Sequence, residues 1–270
     1  MRIGVIGHHG VVGSAIRHGF ERLGHHVIGV DPKAPSTSLA DVRGTDITFI
    51  CVPTPQRPDG SCDTSIVEET VHQLAEQRYG GVVAIKSTVT PGTSAALAAA
   101  YGHLSIAFVP EFLRERCAFS DFYEHHHLLV IGIGPGGLGA AASEAIIEAH
   151  GHLPKQVAMM SRTEAELCKY FSNLFNALRI VFANEFAEVA TVLGCDYTKI
   201  KRAMVARPGI PDAYLDVSDT FKGFAGVCLP KDTAAFAHLA RGLCPHLSLF
   251  ETIVEENKKF AASVPPGMRA

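Results

Sequence analysis

The sequence has 270 residues, 47% of them hydrophobic and 19% charged, with a net charge of −3 and seven cysteines. That length can bury a sizeable core in one large domain or two smaller ones, and the composition excludes a disordered chain. The small negative charge gives no electrostatic reason to expect a nucleic-acid partner, and no apolar run approaches the length of a membrane span.

The chain begins with "RIGVIG", a short β-branched run ending in glycine, so a strand is expected at once, with no signal peptide before it. "HHGVVGSAIRHGFERLG" follows, with helical apolar spacing at Val12, Ile16, Phe20 and Leu23. "HHVIGVD" then reads as a second strand ending in Asp31. Strand, glycine turn, helix, strand and acid is the order of a nucleotide-binding βαβ unit. Gly7, Gly10 and Gly13, with Val11 and Val12 at the helix start, would bring a pyrophosphate close to free N–H groups. Asp31 would accept bonds from ribose hydroxyls and repel a 2′-phosphate, which favours NAD over NADP. The spacing Gly7-x-x-Gly10-x-x-Gly13 makes the turn one residue longer than G-x-G-x-x-G, with His8 and His9 inside it.

The alternation continues. "DITFICVP", "GVVAIKSTV", "LSIAFVP" and "HLLVIGIG" read as strands; residues 63 to 78, "GTSAALAAAYG" and "GLGAAASEAIIEAHG" read as helices. Repeated βα units with apolar strands predict an α/β domain over residues 1–160, with a doubly wound, mostly parallel sheet of the Rossmann type. Ligands in such sheets sit beyond the carboxyl ends of the strands. Three strand ends carry unusual sequences: "CVPTP", "KSTVTPG" and "VPEFLRE". Proline turns explain Pro53 and Pro91, but not the acids Glu111 and Glu115. The run "HHH" at 125 to 127 leads into an apolar strand, where adjacent side chains point apart, so no metal site is expected. The cysteines form no C-x-x-C pair and are odd in number. This argues against a disulfide framework or structural zinc, and for a reducing, cytoplasmic setting.

Residues 161–270 are expected to form an all-helical domain built on a long central helix, "RTEAELCKYFSNLFNALRIVFANEFAEVATVLG". Ser161 and Glu164 have the spacing of a capping box, and Gly194 is a natural stop. Leu167, Phe171, Leu174, Leu178, Val181 and Phe182 fall on one side. Glu166, Lys169, Asn173, Asn176 and Asn184 fall on the other. Asparagine is a poor helix former, so this stripe suggests a polar cleft. Lys169 and Asn173 are one turn apart and can reach one ligand. A second helix is expected near 196–206, then a long glycine-containing loop, then helices over 232–242 and 246–261 and a frayed tail, "SVPPGMRA".

Together "VPTP", "KSTVTPGT", "PEFLRE", "EAELCKYFSN" and "GFAGVCLPKD" resemble the UDP-glucose/GDP-mannose dehydrogenase family, in family order across most of the chain. The resemblance implies an NAD-dependent enzyme that oxidises a sugar primary alcohol twice, to a carboxylate. It implies Cys228 as nucleophile, Lys169, Asn173 and Asp232 as catalytic neighbours, Thr88 as an active-site hydroxyl, and Glu111 and Glu115 as acids. Val52, Pro53, Thr54, Ser87, Thr88, Glu115 and Lys231 are implied as further cofactor contacts. Phe112, Leu113, Arg114, Lys169, Asn173, Arg207, Phe224 and Gly226 are implied around the substrate, with Arg207 reaching a partner's site. The implied partners are a sugar, sugar nucleotide or nucleoside and a second copy of the chain, paired through the long helix.

The nucleophile loop departs from the family in Ala225 and Val227, where Gly and Ser are usual. At 270 residues the sequence resembles a truncated member, without the C-terminal domain that grips the nucleotide of the substrate. A redox-neutral dehydratase or epimerase that uses retained NAD for a transient oxidation is the alternative, and a non-catalytic binding protein the third reading.

Overall fold

The computed structural model describes residues 1–33, 36–218, 220 and 222–260. The tail expected to fray, "SVPPGMRA", lies outside the described residues, as does the end of the helix expected over 246–261. The chain divides into two compact units, one of Met1–Pro55 with Cys62–Lys169, the other of Gln56–Ser61 with the chain from Tyr170 onward.

The first unit is built from β1 (Arg2–Ile6), α1 (Val11–Arg22), β2 (His26–Val30), β3 (Ile47–Ile50), α2 (Ser65–Glu76), β4 (Val82–Ile85), α3 (Thr93–Ala100), β5 (Ser105–Phe108), α4 (Ala118–Tyr123), β6 (Leu128–Ile133), α5 (Gly137–His150) and β7 (Gln156–Ser161). Its strands form one sheet in the order β2-β1-β3-β4-β5-β6-β7. All neighbours are parallel except β5 and β6, which meet antiparallel at Phe108 and Gly132. Ile6 lies level with Val30 on one side and Ile50 on the other. The glycine turn, Asp31 and "CVPTP" therefore emerge together at the carboxyl edge, where the strand order reverses and such sheets bind ligands.

Alternation along the strands divides the core. Val83 and Ile85 of β4 join Ile6, Ile50, Ile106 and Phe108 on one face, with Val67, Val71 and Leu74 of α2. Val82 and Ala84 join Ile3, Val5, Ile47 and Phe49 on the other, with Ile16 and Phe20 of α1 and Ala142 and Ile146 of α5. Both faces are covered, which is why these strands read as continuous apolar runs. β7 is different: it is an edge strand with mostly exposed residues, and its sequence, "QVAMMS", carries no strong strand signal.

The helix α6 (Arg162–Val192) begins in the first unit and continues into the second. The expected capping box closes its start. The Ser161 N–H donates to Glu164 Oε2 at 2.8 Å and the Glu164 N–H to Ser161 Oγ at 3.3 Å. Past its end, Gly194 has φ +67, the left-handed turn expected of a stop.

The second unit contains α6 from Tyr170, then α7 (Tyr197–Val205), α8 (Leu229–Leu243) and α9 (Leu249–Asn257). Ala177, Ile180 and Val181 of α6 pack with Phe224 and Ile253 in its core. The apolar side read from the sequence of α6 proves to be two faces. Leu174 and Val181 are buried, whereas Phe171 is 75% and Phe182 57% exposed, in a row with Phe175, Phe186, Val189 and Val192. A stripe this wide exceeds what one packing surface covers, so helical periodicity alone merged the two. No helix among the described residues is long and apolar enough to cross a membrane.

Candidate active site

At the carboxyl edge of the first unit the turn after β1 is shaped by absent side chains. Gly7 has φ +85, and a Cβ there would stand 2.4 Å from the Cys51 carbonyl oxygen. A Cβ on Gly13 would stand 2.2 Å from the Gly7 carbonyl oxygen, so α1 begins hard against the turn. Gly10 is the N-cap residue of α1, Val11 and Val12 its first residues. That end has no side-chain cap and no acid in its first turn, which leaves its N–H groups to a ligand.

Asp31 closes the far side. Its carboxylate accepts the backbone N–H of His9 at 3.1 Å and of Lys33 at 2.9 Å. Burial works to raise this carboxyl, but the Lys33 and His9 N–H donors outweigh it and hold it below the ordinary carboxylate range. The extra residue of the turn is accommodated by tucking His8 inward. Its ring fills the space over Gly29, and Arg17 Nη1 donates to its Nδ1 at 3.0 Å. A glycine cradle at an uncapped helix start, with an ionised acid beyond it, fits a dinucleotide.

The other strand ends line the same edge. Ser87 after β4 donates its hydroxyl to the Val52 carbonyl at 2.7 Å, tying two of these ends together. Thr54 is buried and Thr88 half-buried. After β5, Glu111 is 8% exposed and turns back on its own segment, its Oε2 accepting the Leu113 N–H at 2.6 Å. Lys169 of α6, 4% exposed, donates to Glu111 Oε1 at 2.7 Å and to its carbonyl at 2.9 Å. Phe112 packs against one face of the core and Leu113 against the other. Arg114 is committed to Asp121, with bonds from its backbone N–H at 2.8 Å, Nε at 3.0 Å and Nη2 at 2.7 Å. Glu115 is half-buried and opens a short 3-10 turn.

The polar stripe of α6 finds buried partners along its length. In the first unit Glu166 accepts the N–H groups of Gly92 at 2.5 Å and Ser94 at 2.8 Å, at the start of α3. In the second unit Asn173 donates its amide to Asp232 Oδ2 at 2.6 Å. Lys231 donates to the other oxygen, Oδ1, at 2.6 Å. Asp232 is 1% exposed, so the two donors offset its loss of water.

Asp232 lies in the first turn of α8, and Cys228 is the exposed N-cap residue of that helix, with Pro230 just inside it. A thiolate at this place faces the positive end of the helix dipole. Gly226 before it has φ +85, and Val227 is 62% exposed. The loop is held from behind. Asn184 accepts the Gly223 N–H at 3.3 Å, and Asn257 both accepts the Phe224 N–H at 2.8 Å and donates to its carbonyl at 3.0 Å. The Phe224 ring is core and its backbone groups are engaged, so it has little to offer a substrate. Arg207 is exposed just past α7.

Sequence reasoning passed over two residues. Asn257 sits at the end of a short amphipathic helix and gave no signal. Lys86 did give one: a lysine directly after the buried strand "VVAI". It is 4% exposed, and burial pulls its ammonium down to about 8. No group of three metal-ligating side chains occurs among the described residues.

Residues 33–144 match the NAD binding domain of the UDP-glucose/GDP-mannose dehydrogenase family, and residues 163–259 its central domain. The first match begins after the lengthened glycine turn. The UDP-glucose 6-dehydrogenase AglM of Haloferax volcanii is 30% identical over 95% of this chain and 69% of its own length. TuaD of Bacillus subtilis, also a UDP-glucose 6-dehydrogenase, is 30% identical over 81% of this chain, which spans only 47% of it. A UDP-glucose dehydrogenase structure from Pyrobaculum islandicum superposes with a TM-score of 0.82 at 31% identity, over 96% of this chain and 68% of that one. Cradle, cysteine loop and matches agree: this chain belongs to the UDP-glucose/GDP-mannose dehydrogenase family, whose cofactor is NAD.

Proposed function

We propose that this protein oxidises the primary alcohol of a sugar, sugar nucleotide or nucleoside to a carboxylate in two steps, with Cys228 as the covalent nucleophile. The observation that carries the reading is the cysteine loop: an exposed thiol at a helix start, one turn before a buried aspartate that an α6 asparagine holds. The family match supports NAD as partner, and NAD, when bound, supplies the acceptor for the hydride lost in each oxidation. Assigning both units to one reaction rests on the family resemblance and on the four-residue spacing of Lys169 and Asn173 in a single helix.

In the first step Lys169 takes the hydroxyl proton as the alcohol becomes an aldehyde. The Cys228 thiolate then adds to the aldehyde carbon, and the resulting oxyanion is met by the Lys169 ammonium and the Asn173 amide. Loss of one such donor typically costs about 3 kcal/mol of transition-state stabilisation. The second oxidation turns this adduct into a thioester. Water attacks the thioester carbon, its proton goes to a carboxylate, and the Cys228 sulfur leaves with the acid freed. Both Glu111 oxygens already accept hydrogen bonds, so Glu115 is the better water-activating acid of the two.

UDP-glucose, GDP-mannose and free nucleosides incubated with NAD, with NADH absorbance followed, test the reading. NADH is expected from at least one of them, at two equivalents per acid formed. Product without accumulated NADH would replace it with the redox-neutral alternative. We place the protein in the cytoplasm, on the pattern of its cysteines. We also infer a homodimer through the exposed aromatic row of α6, since an apolar patch of this kind marks an interface. Sedimentation velocity of Phe182→Asp checks this: an unchanged dimer would refute that interface.

A further inference from the structure

The carboxyl edge of the first unit holds a buried charge cluster that does not balance. Glu111 contributes one carboxylate, and Lys169 donates to it from α6. Lys86, at the end of β4, contributes a second ammonium. Its Nζ donates to the Val109 carbonyl at 3.2 Å, on the segment that leads into Glu111. No carboxylate lies within ion-pair distance of Lys86 among the described residues. Phe49 stands near it, with the ring centre 5.8 Å from Nζ. A buried cation with one carbonyl acceptor is costly, where Leu or Met would carry no such penalty.

We propose that Lys86 is a positioning residue for the Glu111–Lys169 pair: it anchors the strand end that presents Glu111, and its charge competes with that of Lys169 for the one carboxylate. The inference rests on Lys169 as the proton acceptor of the first oxidation. The physical reason is competition for one carboxylate. Glu111 alone would lock Lys169 as an ammonium, which cannot act as a base. A second buried cation in the field of the same carboxylate opposes that lock.

Lys86 answers to the same field. Burial lowers its ammonium most, Cys51 and Glu111 oppose the fall, and Lys169 adds to it. His126, before β6, and His150, on α5, also feel the Lys86 charge, and both are held neutral by burial. At neutral pH the balance near Lys86 is therefore set by Glu111 and Lys169.

Lysine side chains labelled with carbon-13 at the ε position, followed by NMR across pH, test this without any substrate. Lys86→Met and Lys169→Met assign the two resonances. The expected result is a Lys86 midpoint near 8 in the wild-type protein, as its environment implies. In Lys86→Met the Lys169 midpoint should rise by about half a unit or more, and in Lys86→Arg, which keeps the charge, it should stay in place. Should Lys86→Met fail to fold, the wild-type Lys169 curve alone decides, because coupling puts an inflection where Lys86 titrates. A Lys169 curve with no inflection, or one unmoved in Lys86→Met, overturns the proposal. These titrations stand whether or not any sugar nucleotide is oxidised. Intact oxidation with uncoupled lysines would sink this inference alone.

Discussion

The two units bury a carboxylate each against a polar residue of α6, but they neutralise it differently. In the first unit Glu111 meets Lys169 with both side chains nearly sealed, at 8% and 5% exposure. In the second, Asp232 is sealed at 1%, but its cation Lys231 is 18% exposed, and a neutral amide supplies the other bond. The first arrangement relies on a nearly sealed cation, with the Leu113 N–H on the other carboxylate oxygen. The second pairs a cation with more access to water with an uncharged side-chain donor, so it should tolerate the loss of that donor.

The contrast is broken most decisively at Lys169. Lys169→Met leaves Glu111 buried without its cation, and stability should fall by about 3–5 kcal/mol, read from the denaturant midpoint. A loss under about 1 kcal/mol would mean that Glu111 simply protonates or reaches water.

Acid probes the same unit. Burial, the Lys86 charge and neighbouring His127 pull His126 down to about 4, against the donation of its Nδ1–H to the Phe122 carbonyl. His150, packed among Phe20, Phe49 and Phe122, is likewise held well below its ordinary range, chiefly by burial. A histidine lowered on folding binds its proton first in the unfolded chain. Its contribution is therefore present above about 6.5 and is lost as the pH falls toward 4. His126 alone accounts for up to about 3 kcal/mol of that loss. The second unit has no buried histidine among the described residues. Hydrogen exchange at pH 4.5 should thus open the β1, β3 and α5 amides before those of α6 beyond Tyr170; the reverse order would contradict this reading.

The smallest effect is expected at Asn173. Asn173→Ala removes one hydrogen bond while Lys231 still holds Asp232, so stability should drop by only about 1–2 kcal/mol. A fall as large as that of Lys169→Met would erase the contrast.

Much of this was legible beforehand because packing follows sequence period. The strands buried on both faces read as unbroken apolar runs, and Gly7, Gly13 and Asp31 announced their turn through position as well as type. The Asn stripe of α6 was legible because asparagine has little reason to be in a helix without a partner, and Asn173 and Asn184 both have one. β7 was not legible, because an exposed edge strand lacks the apolar alternation that marks its neighbours. The six residues of α4 are too few to establish a period. The exposed Phe row was merged with the buried face because periodicity reports direction and not what lies in that direction. Lys86 was missed because a basic residue at a strand end resembles a solvated one until its burial is seen.

The covalent role of Cys228 is tested by intact-protein mass after acid quench, during turnover with NAD and UDP-glucose. The expected result is a population heavier by one sugar nucleotide, mapped to the peptide containing Cys228 and absent in Cys228→Ser. Full conversion to the acid with Cys228→Ser, and no adduct on the wild-type thiol, would contradict nucleophilic catalysis.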